Sequence, residues 1–381
     1  MLKKIKTHTL LNSTAGNFAN PYFSYVAASI SSSNTLVGYV QGLGIFNSIT
    51  QLLTGNLVDR KNNRIRIILI SSSFLALLCI SLYYFQDPLV LSLLFTAIVA
   101  IQGVYGGAWN ALIGELSEPN GRGRFLSNFA FIAEIGAIIA MLLAIPLSYL
   151  FNSFTPAFII SGILFLLSAT VLLNTPEIKI ERKSLESSNI KTIRDYYLVN
   201  FIYGIFWGFA WPLFTITQVR VLKMKPYEYA IAQALGAFSV LIFQPIAGRI
   251  VDKNRRLSMF AAKFSLIVFP IGFYFASSPI HIYLINAFTG LIPALINVAY
   301  TAYLYDLVPP GYRGRFSAEF NMVNNLAGMI GSLSGASLVD YLNERMDLTS
   351  ALGIGYLIAV LGRASTSFLY LRFGDNKEKR I

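Results

Sequence analysis

Residues 51–60 read Gln-Leu-Leu-Thr-Gly-Asn-Leu-Val-Asp-Arg, and residues 244–253 read Gln-Pro-Ile-Ala-Gly-Arg-Ile-Val-Asp-Lys. Gln51, Gly55, Val58, Asp59 and Arg60 fall in register with Gln244, Gly248, Val251, Asp252 and Lys253. Leu aligns with Ile by chance in any apolar chain, but an aligned glycine, acid and base point to an internal repeat. The offset of 191–193 residues recurs twice more. Glu115, Pro119 and Arg122-Gly-Arg-Phe125 match Asp306, Pro310 and Arg313-Gly-Arg-Phe316, and Pro21-Tyr-Phe23-Ser24 matches Pro212-Leu-Phe214-Thr215. The chain is two related halves.

Apolar blocks separate these motifs: 9–31, 35–57, 66–85, 88–113, 125–150, 155–173, 194–218, 227–248, 257–276, 280–304, 316–339 and 349–371. About 20 residues at ~1.5 Å each cross the ~30 Å of a bilayer's hydrocarbon. Only 13% of residues are charged and 55% are hydrophobic, against roughly 25% charged in soluble domains. Backbone groups in lipid must be satisfied within each segment, so the spans are helices. The expected fold is all-α and polytopic, with twelve transmembrane helices in two six-helix bundles related by a pseudo-twofold along the membrane normal. The bundles are expected at 1–174 and 193–381, with a cytoplasmic linker at 175–192 that holds the longest polar stretch.

Charge sets the orientation. Alternate loops carry 24 Lys and Arg residues on one side and four (Arg220, Lys223, Lys225, Arg345) on the other. The rich side is cytoplasmic by the positive-inside rule, which places both termini in the cytoplasm and the chain in the cell membrane as a multi-pass protein. Lys3, Lys4 and Lys6 before the first block resemble the start of a signal peptide, but Asn12, Asn17, Asn20 and Pro21 and the missing cleavage pattern favour a retained first helix. The net charge of +12 lies in short loop clusters, so no nucleic-acid partner is expected. One cysteine, Cys79, and two histidines, His8 and His281, leave no disulfide or metal spacing. There is no phosphate loop and no nucleophile–His–acid pattern, so neither an enzyme nor a cofactor is expected.

The stretch Gly55-Asn-Leu57-Val58-Asp59-Arg60-Lys61-Asn62-Asn63-Arg64 resembles the major facilitator superfamily motif Gly-x-Leu-Ala-Asp-Arg-x-Gly-Arg-Lys. Asn62 stands where the family has Gly, and in the second copy Arg255 takes that place. Asp59, Glu115, Asp252 and Asp306 each end an even-numbered helix, where the helix dipole disfavours a carboxylate by roughly 0.3–1 kcal/mol. Cations offset this: Arg60, Arg64, Arg122, Lys253, Arg256 and Arg313. These residues form a candidate salt-bridge gate on the cytoplasmic side, and the resemblance implies the same role. The alternative is solvated loop charge contributing ~0–1 kcal/mol per pair.

The resemblance also implies a cavity lined by helices 1, 4, 7 and 10, with 5 and 11 contributing. On those blocks Asn17, Asn20, Gln102, Tyr105, Trp109, Trp207, Trp211, Asn297, Tyr300 and Asn325 are candidate substrate-binding residues. Gln102, Tyr105 and Trp109 share one helical face. Glu134 lies ten residues past Arg124, so ~15 Å deep, where burial suits a proton carrier. Asn325 is its repeat counterpart. Lys263 is expected to snorkel to the cytoplasmic interface, Arg363 to need a partner such as Glu134, and Glu319 to belong to the gate.

Amides pair with hydroxyls and aromatics stack on ring faces. The expected function is therefore secondary transport of a small, neutral or weakly charged organic solute by alternating access, proton-coupled through Glu134 or uncoupled. The partners are the solute, the lipid bilayer and, if coupled, protons; the chain is expected to be a monomer. The acid-x6-Arg pattern resembles the sugar-porter branch, whose Pro-Glu-Ser-Pro-Arg segment is absent. Gln102-Gly103 resembles the end of the helix-4 motif of drug/proton antiporters, whose arginine would fall at Val99 and whose helix-5 Gly-Pro motif is missing around Gly136. An exporter of that kind, or a non-transporting scaffold or receptor, remains an alternative.

Overall fold

The computed structural model describes residues 1–61, 63–116, 122–177, 190–307 and 313–373. Helix fills every apolar block, and no strand occurs among the described residues. In the first half the helices are α1 (Leu2–Ala19), α2 (Phe23–Ile30), α3 (Asn34–Gln41), α4 (Gly44–Lys61), α5 (Arg64–Ser81), α6 (Pro88–Leu116), α7 (Arg122–Phe151) and α8 (Thr155–Val171). In the second they are α9 (Ile190–Phe209), α10 (Trp211–Ile216), α11 (Pro226–Lys253), α12 (Arg255–Ser265), α13 (Val268–Tyr274), α14 (Pro279–Phe288), α15 (Leu291–Leu307), α16 (Arg313–Asn343) and α17 (Leu348–Ser367). Among the described residues, eight helical stretches are long and apolar enough to cross a membrane. The other four blocks hold the interrupted α1–α2 and α3–α4, the 17-residue α8 and the more polar α16. The twelve-span reading is compatible with this arrangement.

The interruptions follow the sequence. Proline lacks the N–H that a helix interior needs. Pro21 lies in a 3-10 turn, Asn20–Tyr22, that joins α1 to α2. Its repeat counterpart Pro212 opens α10 just after the break that ends α9. The two halves therefore share a local backbone defect as well as sequence. Pro270 sits in α13 just past the break that ends α12.

The helices form two compact units. Unit 1 comprises Met1–Ser31, Leu43–Lys183 and Lys225–Ala230; unit 2 comprises Ser32–Gly42, Ser184–Met224 and Ile231–Ile381. The start of block 2 thus clusters with unit 2, and its repeat counterpart at the start of block 8 with unit 1. In unit 1 the Tyr229 hydroxyl lies 3.3 Å from Ser24 Oγ. In unit 2 Gln41 donates to Thr215 at 2.9 Å. Ser24 and Thr215 are repeat counterparts.

Small residues bring the backbones together. In unit 1 a Cβ on Gly136 would meet the Leu10 carbonyl, and Ser13 donates to the Ala133 carbonyl at 2.6 Å. In unit 2 Gly331 and Gly335 of α16 abut the Ile205 and Phe209 carbonyls of α9. Apolar side chains also point outward at helical spacing: Ile242, Ile246 and Ile250 on α11, and Leu357 and Leu361 on α17, the last two 58% and 61% exposed. Such stripes suit hydrocarbon as the surrounding solvent.

Helix ends in unit 1 are compensated by charge. Glu177 accepts from the backbone N–H groups of Ile65 and Arg66 at the start of α5, and Lys4 donates to the Leu173 carbonyl just past α8. Both placements match the helix dipole.

Candidate functional site

In unit 1, Asn20, Gln102, Tyr105 and Trp109 are brought together. Asn20 is exposed at the 3-10 turn and pairs with Gln102 on α6 through two amide hydrogen bonds, 3.1 and 3.0 Å. An amide carries two donors and two lone pairs, so each partner keeps further hydrogen-bonding capacity for a solute. One turn along α6, Tyr105 and Trp109 stack with centroids 5.9 Å apart. Asn17 is half-buried and turns back on its own helix, donating to the Ser13 carbonyl at 2.9 Å.

Sequence reasoning missed His8, which completes this group. Its ring is fully buried in α1, with Nε2 3.1 Å from the Tyr105 hydroxyl. Nδ1 lies 2.9 Å from the Ser168 carbonyl and 2.8 Å from Ser168 Oγ on α8. The available signal was a histidine two turns into the first helix, outside the charged cluster of Lys3, Lys4 and Lys6.

In unit 2, Trp207 and Trp211 meet edge-to-face at 4.7 Å across the break between α9 and α10. Gly328 of α16 lies against the Trp211 ring, and Asn325 is half-buried one turn before it. The side chains of Asn297 and Tyr300 lie outside the described residues. So do those of the gate candidates Asp59, Arg60, Glu115, Arg122, Asp252, Arg256, Asp306 and Arg313. Of the remaining gate candidates, Arg64 is buried at the start of α5 and Lys253 is exposed at the end of α11.

Three interior charges differ from expectation. Glu134 is exposed on α7, not buried. Depth along a helix does not fix the face, and the neighbouring Ala133 and Gly136 are the residues that meet α1. Lys263 does not snorkel: it is 4% exposed, its ammonium 4.3 Å from the Tyr203 ring centroid and 5.3 Å from that of Trp207. Cation–π contact accounts for that placement.

Arg363 finds its partners on the backbone of unit 2. It is 1% exposed and donates to three backbone carbonyls: Leu266 at 2.9 Å, Trp207 at 2.8 Å and Phe206 at 3.3 Å. Phe206 and Trp207 lie in the last turn of α9, whose final carbonyls lack helical partners. Leu266 is four residues before Pro270, which has no N–H to offer. The guanidinium replaces the donors that the breaks remove.

Unit 2 also contains a polar cluster around the start of α3. Asp340 at the end of α16 accepts from the Asn34 N–H at 2.9 Å, the Thr35 N–H at 2.7 Å and the Thr35 hydroxyl at 2.6 Å. Arg220, in a π-helical turn over Thr217–Val221, donates to the Ser32 and Ser33 carbonyls and to the Asn34 side chain. A carboxylate is favourable at a helix N-terminus.

The family model described as Major Facilitator Superfamily matches residues 8–198 and 196–380. A Proton-coupled antiporter flippase LtaA of Staphylococcus haemolyticus is 24% identical over 136 residues, 35% of this chain and 34% of that protein. Multidrug resistance protein 3 of Bacillus subtilis is 27% identical over 157 residues, 40% of this chain and 29% of that protein. The alignment thus spans about a third of each of these relatives. A crystal structure of a mutant of the nucleoside transporter NupG superposes with a TM-score of 0.78 at 15% identity, covering 97% of this chain and 98% of that one.

Proposed function

From the premise that the chain belongs to the Major Facilitator Superfamily, we propose that it moves a small, neutral or weakly charged organic solute across the cell membrane by alternating access. It is a multi-pass membrane transporter, not an enzyme. The observation that carries the solute class is the Asn20–Gln102 amide pair beside the stacked Tyr105 and Trp109. Amide edges match hydroxyl or carbonyl groups, and the aromatic faces match an apolar ring. Trp207, Trp211 and Asn325 offer the same chemistry in unit 2. The strong bias of loop Lys and Arg supports cytoplasmic termini. The chain acts as a monomer in this reading.

Proton-coupled export is the second reading. It is favoured by the two curated relatives, one named a proton-coupled antiporter flippase and the other a multidrug resistance protein. Glu134, an exposed carboxylate on α7, is its first coupling candidate.

The test is a thermal-shift screen of nucleosides, sugars and hydrophobic amines at several pH values, on wild type, Gln102→Leu and Glu134→Gln. Solute transport expects a stabilising ligand whose effect drops at least about tenfold in Gln102→Leu, which leaves the Asn20 amide unmatched. Coupling through Glu134 expects loss of the pH dependence in Glu134→Gln. A hit that ignores the Gln102 change removes this face from the site. No hit in proteoliposomes, with the cavity accessible from one side only, favours a scaffold.

A further inference from the structure

We propose that His8 is a proton-binding site, and that its charge state sets whether the Tyr105 hydroxyl donates or accepts at the solute face. The proposal deepens the transporter reading and rests on it. Its first ground is geometric. A histidine serving only packing needs partners for one tautomer. His8 has partners for all three protonation states. Nδ1 faces the Ser168 carbonyl, which can only accept, and the Ser168 hydroxyl, which can donate. Nε2 faces the Tyr105 hydroxyl, which can do either. In the neutral forms one ring nitrogen donates while the other accepts from Ser168 or Tyr105. In the cation Nδ1–H donates to the Ser168 carbonyl and Nε2–H donates to Tyr105. Only hydroxyl hydrogens turn between these states.

The second ground is the ring environment. The imidazole centroid lies 5.4 Å from Trp109 and 5.8 Å from Tyr105, within the range in which an aromatic face attracts a cation. Burial opposes the charge and outweighs the hydrogen bond to the Ser168 carbonyl, so the second proton binds below the usual histidine range, where the two acceptors receive it. Other charges near His8 are few among the described residues. α6 presents Tyr105, and α8 presents Ser168. α7 carries Glu134, which is exposed and lies between the two residues, Ala133 and Gly136, that meet α1. α5 brings Arg64 beside Ile65 and Ile68, which share a core with Ile5. On α1 itself the nearest charges are Lys4 and Lys6.

The functional consequence follows from the hydroxyl. With His8 neutral and Nε2 bare, Tyr105 spends its proton on the ring and can only accept from a solute. Once Nε2 carries a proton, Tyr105 accepts from it, and its own O–H is free to donate outward. Loading is balanced as a relay: Tyr105 passes its hydroxyl proton to the Nε2 lone pair and takes one from hydronium, leaving water, a regenerated hydroxyl and an imidazolium.

The chain has only two histidines, so the test uses full-length protein labelled with 15N-histidine, with His281→Gln to assign the signals. On acidification through about pH 7 to 2.5, His8 should pass from one protonated nitrogen to two, below the usual histidine range because the ring is buried. In Tyr105→Phe the doubly protonated form should appear about one pH unit lower. A hydrogen bond from a charged group exceeds a neutral one by roughly 1–1.5 kcal/mol, and 1.36 kcal/mol is one unit. A ring that keeps a single protonated nitrogen throughout overturns the proposal. So does a transition at the same pH in Tyr105→Phe, since the hydroxyl would then not sense the charge. The titration needs no solute. Its failure therefore leaves the transport reading standing, and an empty ligand screen leaves the proton site standing.

Discussion

Replacing Arg363 with Met keeps most of the side-chain volume and removes every donor. Three carbonyls, the buried one of Leu266 and the part-buried ones of Phe206 and Trp207, then lose their partner. At ~1–3 kcal/mol for each unsatisfied group the gross loss is roughly 3–9 kcal/mol. Removing a buried guanidinium returns several kcal/mol of desolvation, so the net destabilisation should be about 2–4 kcal/mol. In detergent, at one fixed scan rate, this lowers the apparent Tm by about 3–5 °C. Arg363→Lys should fall between the two, because one ammonium cannot span carbonyls on two helices. The mechanism is tested by Pro270→Ala, which restores an N–H four residues after Leu266. In the Arg363→Met background it should recover about a third of the loss, and in wild type much less. Equal effects in both backgrounds, within about 0.5 kcal/mol, would refute the idea that Arg363 stands in for the donor that Pro270 lacks.

Asp340→Ala should cost about 1–2 kcal/mol and speed hydrogen exchange at Asn34 and Thr35, with Asp340→Asn losing about half as much, because an amide oxygen still accepts. Gly331→Ala places a methyl against the Ile205 carbonyl and should cost about 1–3 kcal/mol in thermal unfolding, since a backbone atom cannot step aside as a side chain can. The Ser350 N–H and hydroxyl, both donating to Asp347 outside the spans, hold that carboxyl below the usual carboxylate range. A depressed value stabilises above the unfolded carboxylate range and the effect is lost as pH falls through the folded value. Acidification should therefore fray the first turn of α17, seen as faster exchange at Ser350, and Asp347→Ala should make that exchange insensitive to acid.

Helix content and the pairing of halves were legible because both rest on strong signals: block length fixed by the bilayer, and an acid–base–glycine motif repeated in register. The breaks at Pro21 and Pro212 were within reach for the same reason, since proline in a repeat pair removes the same hydrogen bond twice. The interior charges were not. Seven residues separate Lys263 from Arg256, a spacing that points to the interface, but the ring faces of Tyr203, Trp207 and Tyr370 decide where its ammonium rests. Depth along the helix puts Glu134 near the bilayer centre, yet burial depends on azimuth, which a single helix does not reveal. A deep arginine invites an acidic partner such as Glu134, yet Arg363 is satisfied by carbonyls. The proline four residues after Leu266 already marked an acceptor without a donor.

These placements bear on the solute. Two buried cations in unit 2 suggest, by count alone, an attraction for anions. Their geometry argues otherwise. Arg363 commits donors to three carbonyls of two broken helices, so its charge is offset by backbone dipoles where it sits. Lys263 lies over the Tyr203 and Trp207 rings, and the Tyr203 hydroxyl donates to the Lys263 carbonyl at 2.8 Å. Trp207 thus carries a cation beside its ring and Trp211 against its edge, which fixes its orientation. Unit 1 differs: its polar face is neutral amides and a tyrosine whose hydroxyl can reverse. One unit holds charge fixed in structural service, and the other holds hydrogen-bond polarity that a proton can change. Under the proposed transport reading, a solute recognised by such surfaces would be discriminated by its donors and acceptors more than by its net charge. Its coupling to protons would therefore be read as pH-dependent affinity for hydrogen-bonding groups rather than for ions.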